Sequence, residues 1–320
     1  MTEPRRFHPS PHQPISQTAR SASYRVELRP RVLTVTAVTD LSATMRRVSF
    51  SADDDFDGLL SQAAGDHVKL FFDQDEQGVP RLPAITNDRW SKEGATYRDY
   101  TIRWFDPGTC RIDIDFVRHD HGIAGRWASQ AAIGQRLGML GPRNSRPVKD
   151  VFASYVLAAD ETALPALAKW AEMLRPGVPV TAYIEVAGPA SQLELPSAAA
   201  LDVVWLHRNG AEPGTTTLLP DAVLGHDFSD SPTGLSYVWA AGEAQAMQPI
   251  RRYLANELKL PRDQWQVSGY WRRGIVNHDH HADEGDDHVC QCKQRPAIGP
   301  EVPSTAMEFS LRPGGPKPRN

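Results

Sequence analysis

The spacing of apolar and polar positions divides the chain into two parts. Residues 25–145 are rich in short runs with a period of two, the pattern of half-buried strands. "RVLTVTAVTDLSATMRRVSFS" carries two β-branched runs either side of Asp40-Leu41-Ser42, and "DHVKLFF" is a short apolar strand. "RDYTIRWF" and "RIDIDFVRH" alternate cleanly and are joined by "DPGTC", a turn by its Pro and Gly. Ile112, Ile114 and Phe116 fall on one face of the second run. Short strands, regular turns and little helix predict a small antiparallel barrel.

From about residue 151 the period changes. "SYVLAAD", "VPVTAYIEVAG", "LDVVWLHR", "LSYVWAAG" and "QWQVSGYW" are near-continuous apolar strands, and the first and fourth run into helical patterns. Strands apolar on both faces and alternating with helices predict a parallel sheet covered on both sides. In "TALPALAKWAEML" a stripe of Leu164, Leu167, Ala168, Ala171 and Leu174 marks a helix, with Thr162 as its cap and Pro165 in its first turn. A later helix is expected over 246–259, with Met247, Ile250, Leu254 and Leu258 on one side. The expected class is therefore β followed by α/β: an antiparallel barrel domain over 25–148, then a doubly wound parallel-sheet nucleotide-binding domain over 149–277. The flanking stretches, 1–24 and 278–320, are rich in Pro, Ser, His and Gln or in His, Asp, Pro and Gly. They are expected to be a disordered arm and tail.

A chain of 320 residues with 40% hydrophobic content suits two ordinary domains with real cores. The net charge of −4, with no basic stripe, argues against a nucleic-acid partner. No apolar run is long enough for stable membrane insertion, and the N-terminal stretch lacks the apolar core of a signal peptide. The three cysteines, Cys110, Cys290 and Cys292, are few and odd in number, which fits a reducing cytoplasm.

Five stretches within the two expected domains, and one in the tail, carry candidate chemistry. In "RDYTIR", strand alternation puts Arg98, Tyr100 and Ile102 on one face and Thr101 and Arg103 on the other. A cation, an aromatic ring and a hydroxyl together suit an anionic, flat ligand; an exposed edge strand is the alternative. In "FVRHDHGIAGRWA", Gly122 and Gly125 permit close backbone approach at a helix start, whose free N–H groups suit an anion. "AADETALPAL" and "WAAGEAQ" are strand-to-helix crossings, where doubly wound sheets bind ligands. Neither is a GxGxxG loop, and Asp160 and Glu161 would repel a pyrophosphate laid on them, so a helix cap and a tight turn are the alternatives. "SGYWRRG" ends the last strand with two aromatics and two arginines. The tail segment "NHDHHADEGDDHVCQC" offers His278, His280, His281, His288, Cys290 and Cys292, but their spacing matches no closed zinc site, and no metal is expected.

Taken in order over roughly residues 28–276, these stretches resemble the siderophore-interacting protein family, the FAD-dependent ferric-siderophore reductases of the ferredoxin-NADP reductase-like superfamily. The resemblance implies that Arg98 binds the FAD pyrophosphate, that Tyr100 packs on the flavin and that Thr101 sits at flavin N5 as the catalytic contact. It implies further cofactor contacts from Val117, His119, Gly122, Ala124, Trp127 and Ala128. The loop is one residue shorter than in many relatives, which leaves open whether His119 or His121 aligns. Asp160, Thr162, Gly242 and Glu243 would form a nicotinamide-nucleotide site, Tyr270 and Trp271 would cover part of FAD, and Arg272 and Arg273 would attract an anionic ferric-siderophore. The implied cofactors are FAD and NAD(P)H, with a ferredoxin as the alternative donor, in a cytoplasmic monomer. Three other readings stand beside this one: a general flavin or ferredoxin-type oxidoreductase, a non-catalytic siderophore-binding protein, and a metal-handling protein acting through its tail.

Overall fold

The computed structural model describes residues 16–17, 20–120, 122–228 and 235–276. The expected arm and tail, with the tail's histidines and cysteines, and His121 lie outside the described residues.

The first sheet has seven antiparallel strands: β1 (Pro30–Asp40), β2 (Met45–Ala52), β3 (His67–Phe71), β4 (Tyr97–Thr101), β5 (Trp104–Asp106), β6 (Arg111–Val117) and β7 (Arg136–Leu140). Their spatial order is β4-β3-β7-β1-β2-β6-β5. The two edges, β4 and β5, are consecutive in sequence, and Arg103 N–H donates to the Asp113 carbonyl at 3.0 Å, which draws the edges together into a barrel. One expectation is corrected here: "RDYTIRWF" is not a single strand. It breaks at Ile102-Arg103, where the chain leaves β3 and crosses to β6. Leu33, Val35, Val48, Phe50, Leu70, Ile112, Ile114, Phe116 and Leu137 fill the barrel. Helix α1 (Gly122–Gln130) covers one end of it with Ala124, Trp127 and Ala128.

The second sheet is parallel: β8 (Ser154–Asp160), β9 (Pro179–Val186), β10 (Ala200–His207), β11 (Ser236–Glu243) and β12 (Trp265–Trp271), in the order β10-β9-β8-β11-β12. The chain starts at the centre and winds outward in both directions, the doubly wound order. Helix α2 (Leu164–Met173) follows β8, α3 (Leu218–Leu224) follows β10 and α4 (Ala244–Arg252) follows β11. Alternate residues of β8 enter different cores. Leu157 and Ala159 pack with α2, whereas Val156 and Ala158 pack with α3 and α4. Helix α3 was not expected, because seven residues are too few for a legible stripe. The helix expected over 246–259 is α4 followed by a π-helical turn over Tyr253–Glu257; Met247, Ile250 and Leu254 are fully buried as expected.

The cap of α2 also differs from expectation. Thr162 is not the cap: in the turn before the helix the Asp160 carboxylate accepts from Thr162 N–H at 2.9 Å, Ala163 N–H at 3.3 Å and the Thr162 hydroxyl at 2.5 Å, and the N-cap position, Ala163, makes no side-chain cap bond. A charged acceptor outcompetes a neutral hydroxyl for these donors. Helix α2 is, moreover, buried on both faces. The sheet takes Leu164, Leu167 and Ala171, and the barrel takes the opposite side, where Lys169 is 2% exposed.

Buried charges tie the barrel to the sheet. Arg47 on β2 grips Asp115 on β6 at 2.7 and 2.8 Å, Asp115 lies 3.8 Å from Arg103, and Arg103 makes two bonds to Glu172 on α2 at 2.8 and 2.5 Å. On the other side of the seam Thr44, between β1 and β2, donates to Glu161 at 2.7 Å; Glu161 accepts from Arg208 at 2.6 Å, and Arg208 lies 3.7 Å from Glu185. Burial pushes the Glu185 carboxyl above the usual range, and its hydrogen bond from Thr216 only partly offsets this.

Removing the Arg208 cation leaves two buried carboxylates without it. Arg208→Met is expected to destabilise the fold by about 3–5 kcal/mol at pH 8. A folded-state carboxyl pKa above the unfolded one means that stability is regained as pH falls, so the loss should shrink markedly by pH 5. Urea midpoints of parent and variant at the two pH values check this, and an equal loss at both would contradict it.

Candidate functional site

Strand β4 presents its residues as alternation requires. Tyr100 and Ile102 turn to the barrel core, where the Tyr100 ring lies 4.4 Å from Phe116. Phe116 in turn meets Trp127 of α1 at 5.5 Å, so β4 and α1 share one aromatic cluster. Thr101 and Arg103 turn the other way, toward the α/β layer. Thr101 is hydrogen-bonded to the Tyr270 hydroxyl on β12, and Arg103 is held by Glu172. Burial raises the pKa of the Tyr100 and Tyr270 phenols, so both remain neutral across the physiological range.

Arg98 is half-buried, and its guanidinium donates to the Tyr97 carbonyl at 2.6 Å. Among the described residues no carboxylate partners it. This separates it from Arg47, Arg103, Arg111 and Arg208, each of which faces a carboxylate. Helix α1 opens on Gly122, at φ +74°, and has no acid in its first turn. His119 folds back against this turn. A side-chain carbon at Gly125 would lie 2.5 Å from the His119 carbonyl and 2.6 Å from its ring, so only glycine fits there. Val117 ends β6 on the side of the α2 core, and Ala124 and Ala128 pack inward.

The starts of the helices that follow these strands are therefore not equivalent. Before α2 the Asp160 carboxylate accepts from the Thr162 and Ala163 N–H groups, in the turn that leads into the helix. In α4, Glu243 accepts from Gln245 N–H at 2.6 Å and Ala246 N–H at 2.9 Å. An anion gains nothing by replacing a carboxylate already bound. The N-terminus of α1, with the His119 imidazole packed against it, and Arg98, which has no carboxylate partner among the described residues, carry donor chemistry that suits a phosphate. The residues present thus fit the pyrophosphate and ring system of FAD.

The expected nucleotide residues do come together. A side-chain carbon at Gly242 would lie 2.8 Å from the Asp160 carboxylate, and Trp271 Nε1 donates to that carboxylate at 2.7 Å. Burial raises the Asp160 pKa, against the hydrogen bonds from Thr162 and Trp271. The end of β12 works as a staple: Tyr270 reaches Thr101, Trp271 reaches Asp160, and the Arg273 N–H donates to Glu243 at 3.2 Å. Arg273 is exposed and Arg272 half-buried, and the pair lies beside the crossing at Glu243.

Sequence reasoning missed Lys169, Asp66 and the Arg208 cluster. Lys169 donates to Ser61 at 2.8 Å and to the Ile102 carbonyl at 3.3 Å, directly behind Thr101. The one available signal was that "LPALAKWAEM" carries only two charges, Lys169 and Glu172, three residues apart on one face.

An antiparallel barrel followed by a doubly wound parallel sheet is the architecture of the flavin-dependent reductases. Residues 34–146 match the family model for the siderophore-interacting FAD-binding domain, and residues 152–274 match that for the siderophore-interacting protein. The chain is 45% identical to a siderophore utilization protein from T. fusca; the match to that crystal structure covers 82% of this chain and 99% of that one, with a TM-score of 0.75. It is 31% identical to the NADPH-dependent ferric-chelate reductase of Escherichia coli K12, over 77% of this chain and 94% of that protein. It is also 28% identical to the ferric vibriobactin reductase of Vibrio cholerae, over 79% and 93% respectively. The chain belongs to the siderophore-interacting protein family, and its barrel is the family's FAD-binding domain. Among the described residues no helix is long and apolar enough to cross a membrane.

Gly125→Ala tests the α1 turn. The new methyl must displace a backbone carbonyl, and overpacking of this kind costs about 1–3 kcal/mol. The variant is expected to melt several degrees lower than the parent in a thermal scan, and an unchanged melting temperature would show that the turn relaxes freely.

Proposed function

We propose that the protein is an FAD-dependent ferric-siderophore reductase that takes its electrons from NAD(P)H. The observation that carries this reading is Arg98, a half-buried guanidinium with no carboxylate partner among the described residues, on the strand whose Tyr100 shares an aromatic cluster with Trp127 of α1, a helix with no acid in its first turn. Arg98 would hold the pyrophosphate, Tyr100 would pack on the ring system, and the Thr101 hydroxyl would hydrogen-bond at N5. Val117, His119, Gly122, Ala124, Trp127 and Ala128 would form the floor and the helix turn beneath it. Bound FAD would supply the conversion of a two-electron hydride donor into single electrons for Fe(III). Fe(II) is held more weakly by hard oxygen donors, so reduction loosens the chelate and the protein needs no metal ligands of its own.

The division of labour follows the two sheets, with a cofactor domain over 25–148 and a nucleotide domain over 149–277. Asp160, Thr162, Gly242 and Glu243 would line the nucleotide side, Tyr270 and Trp271 would close the seam, and Arg272 and Arg273 would draw in an anionic chelate. The name of the E. coli relative supports NADPH as the donor. A ferredoxin is the second donor, and a protein donor is favoured by one feature: carboxylates occupy the N–H groups at the start of α4 and in the turn that leads into α2, which lowers their value for a dinucleotide phosphate. We place the protein in the cytoplasm, where nicotinamide nucleotides are available, as a monomer.

The test is a purified sample carrying FAD, bleached anaerobically with NADPH and then mixed with a ferric-siderophore. Recovery of the oxidised flavin spectrum with formation of Fe(II) is expected. Bound flavin that a ferric chelate fails to reoxidise would favour a general oxidoreductase, and chelate binding without flavin would favour a binding protein.

Arg98→Ala removes a charge-assisted bond worth about 1.5–3 kcal/mol. FAD affinity should fall by roughly one to two orders of magnitude. Retention as tight as in the parent, measured by flavin fluorescence, would displace Arg98 from the site.

Turnover efficiency for an anionic chelate should fall as salt rises while saturating turnover holds, because exposed charge is screened over about 8 Å at physiological ionic strength. Replacing Arg272 and Arg273 with Gln should flatten that salt curve with FAD still bound. Full salt dependence in the double variant would mean that the chelate enters elsewhere.

A further inference from the structure

The link between β4 and β5 is held from the nucleotide domain. The Ile102 N–H donates to the Asp66 carbonyl at 2.8 Å, and the Ile102 carbonyl accepts from Lys169 Nζ at 3.3 Å. One turn further along α2, Glu172 holds the Arg103 guanidinium. Lys169 and Asp66 are both buried, at 2% and 4% exposure. Two donors of the barrel, the Ala63 N–H at 2.9 Å and the Ser145 hydroxyl at 2.6 Å, both bond Oδ2 of the Asp66 carboxylate. Lys169 thus brings a positive charge to the backbone of the residue next to Thr101, from a helix that is itself anchored on the other sheet.

We propose that Lys169 is a positioning residue for the flavin site: it fixes the Ile102 carbonyl, and through it the Thr101 hydroxyl, and places a buried positive charge behind the reacting edge of FAD. This rests on the reading that Thr101 faces the flavin. A fixed cation at this place favours the reduced, more negative flavin over the oxidised one. The charge is also conditional. Burial lowers the Lys169 pKa to about 8, against the raising effects of Asp66 and Glu172 and with a further lowering from Arg103. These are the charged groups that face it, from the turn before β3, from α2 itself and from the β4–β5 link. Asp115 and Arg47 lie behind Arg103 and pair with each other, and the neighbouring Tyr270 phenol stays neutral. The sign follows: below about pH 8 the ammonium is present and reduced flavin is favoured, and above it this preference is lost.

The test is the FAD midpoint potential of the full chain, measured spectroelectrochemically from pH 6.5 to 9.5. The parent should show an inflection near pH 8 beyond the flavin's own slope. Lys169→Arg keeps its charge throughout and should lose the inflection. Lys169→Met should also lose it, with a potential below the parent's at pH 7 corresponding to a roughly tenfold weaker preference for reduced FAD, the equivalent of one unit of pKa linkage. A residue with a merely structural role would lower the melting temperature of Lys169→Met and leave the potential curve unchanged. That result, or an inflection retained in Lys169→Arg, overturns the proposal while the FAD reading stands. A parent chain that binds no FAD overturns both. Should the Met variant fail to fold, the Arg variant alone decides.

Discussion

The constraint on which the rest of this structure depends is the cost of burying charge. An ion taken out of water must meet an opposite charge or several hydrogen bonds, or the fold loses several kcal/mol. Helix α2 lies between a sheet and a barrel, and the buried ionised groups along it and just before it must be answered from elsewhere. Asp160 is answered by the N–H groups of the turn that leads into the helix and by Trp271, Glu161 by Arg208 and Thr44, and Lys169 by Ser61 and the Ile102 carbonyl, while the exposed Glu172 holds the buried Arg103. These answers come from both sheets, and so the electrostatics of one helix set the register of the barrel against the α/β domain.

The same constraint selects the site. Where the chain supplies its own carboxylate to a helix start, that start is closed to a phosphate. Glu243 closes the start of α4, Asp160 holds the N–H groups of the turn leading into α2, and Arg47, Arg103, Arg111 and Arg208 are each spent on an acid. Arg98 and the first turn of α1 are left with donor capacity, and they stand at the two ends of one aromatic cluster built from Tyr100, Phe116 and Trp127. Thr101 lies at the point where β4 ends, and the break at Ile102-Arg103 lets the chain bond to three elements within two residues.

Much of this was legible beforehand. Periods of two and of 3.6, with turn residues between them, were enough for the barrel, the parallel sheet and helices α2 and α4. Ile112, Ile114 and Phe116 are all fully buried, as their alternation requires. The polar positions on the same strand were read less well. Asp113 and Asp115 alternate outward, yet both are buried, because the outer face of β6 is covered and each acid meets an arginine. A hydropathy pattern carries the preference of a side chain for water; it carries no record of which partner will replace the water.

The amino-acid sequence by itself determined the order of elements, the two architectures, and the short motifs on β4, α1 and the strand-to-helix crossings, since these depend on local period and on spacing along one segment. Only the tertiary structure decided that Thr162 gives its hydroxyl to Asp160 instead of capping α2, that Tyr270 meets Thr101, and that Lys169 lies behind the β4–β5 link. Each of these pairings joins residues whose meeting depends on how a barrel and a sheet pack, or on which of two adjacent acceptors wins a shared donor. Such outcomes are set by the whole fold, and no local pattern encodes them.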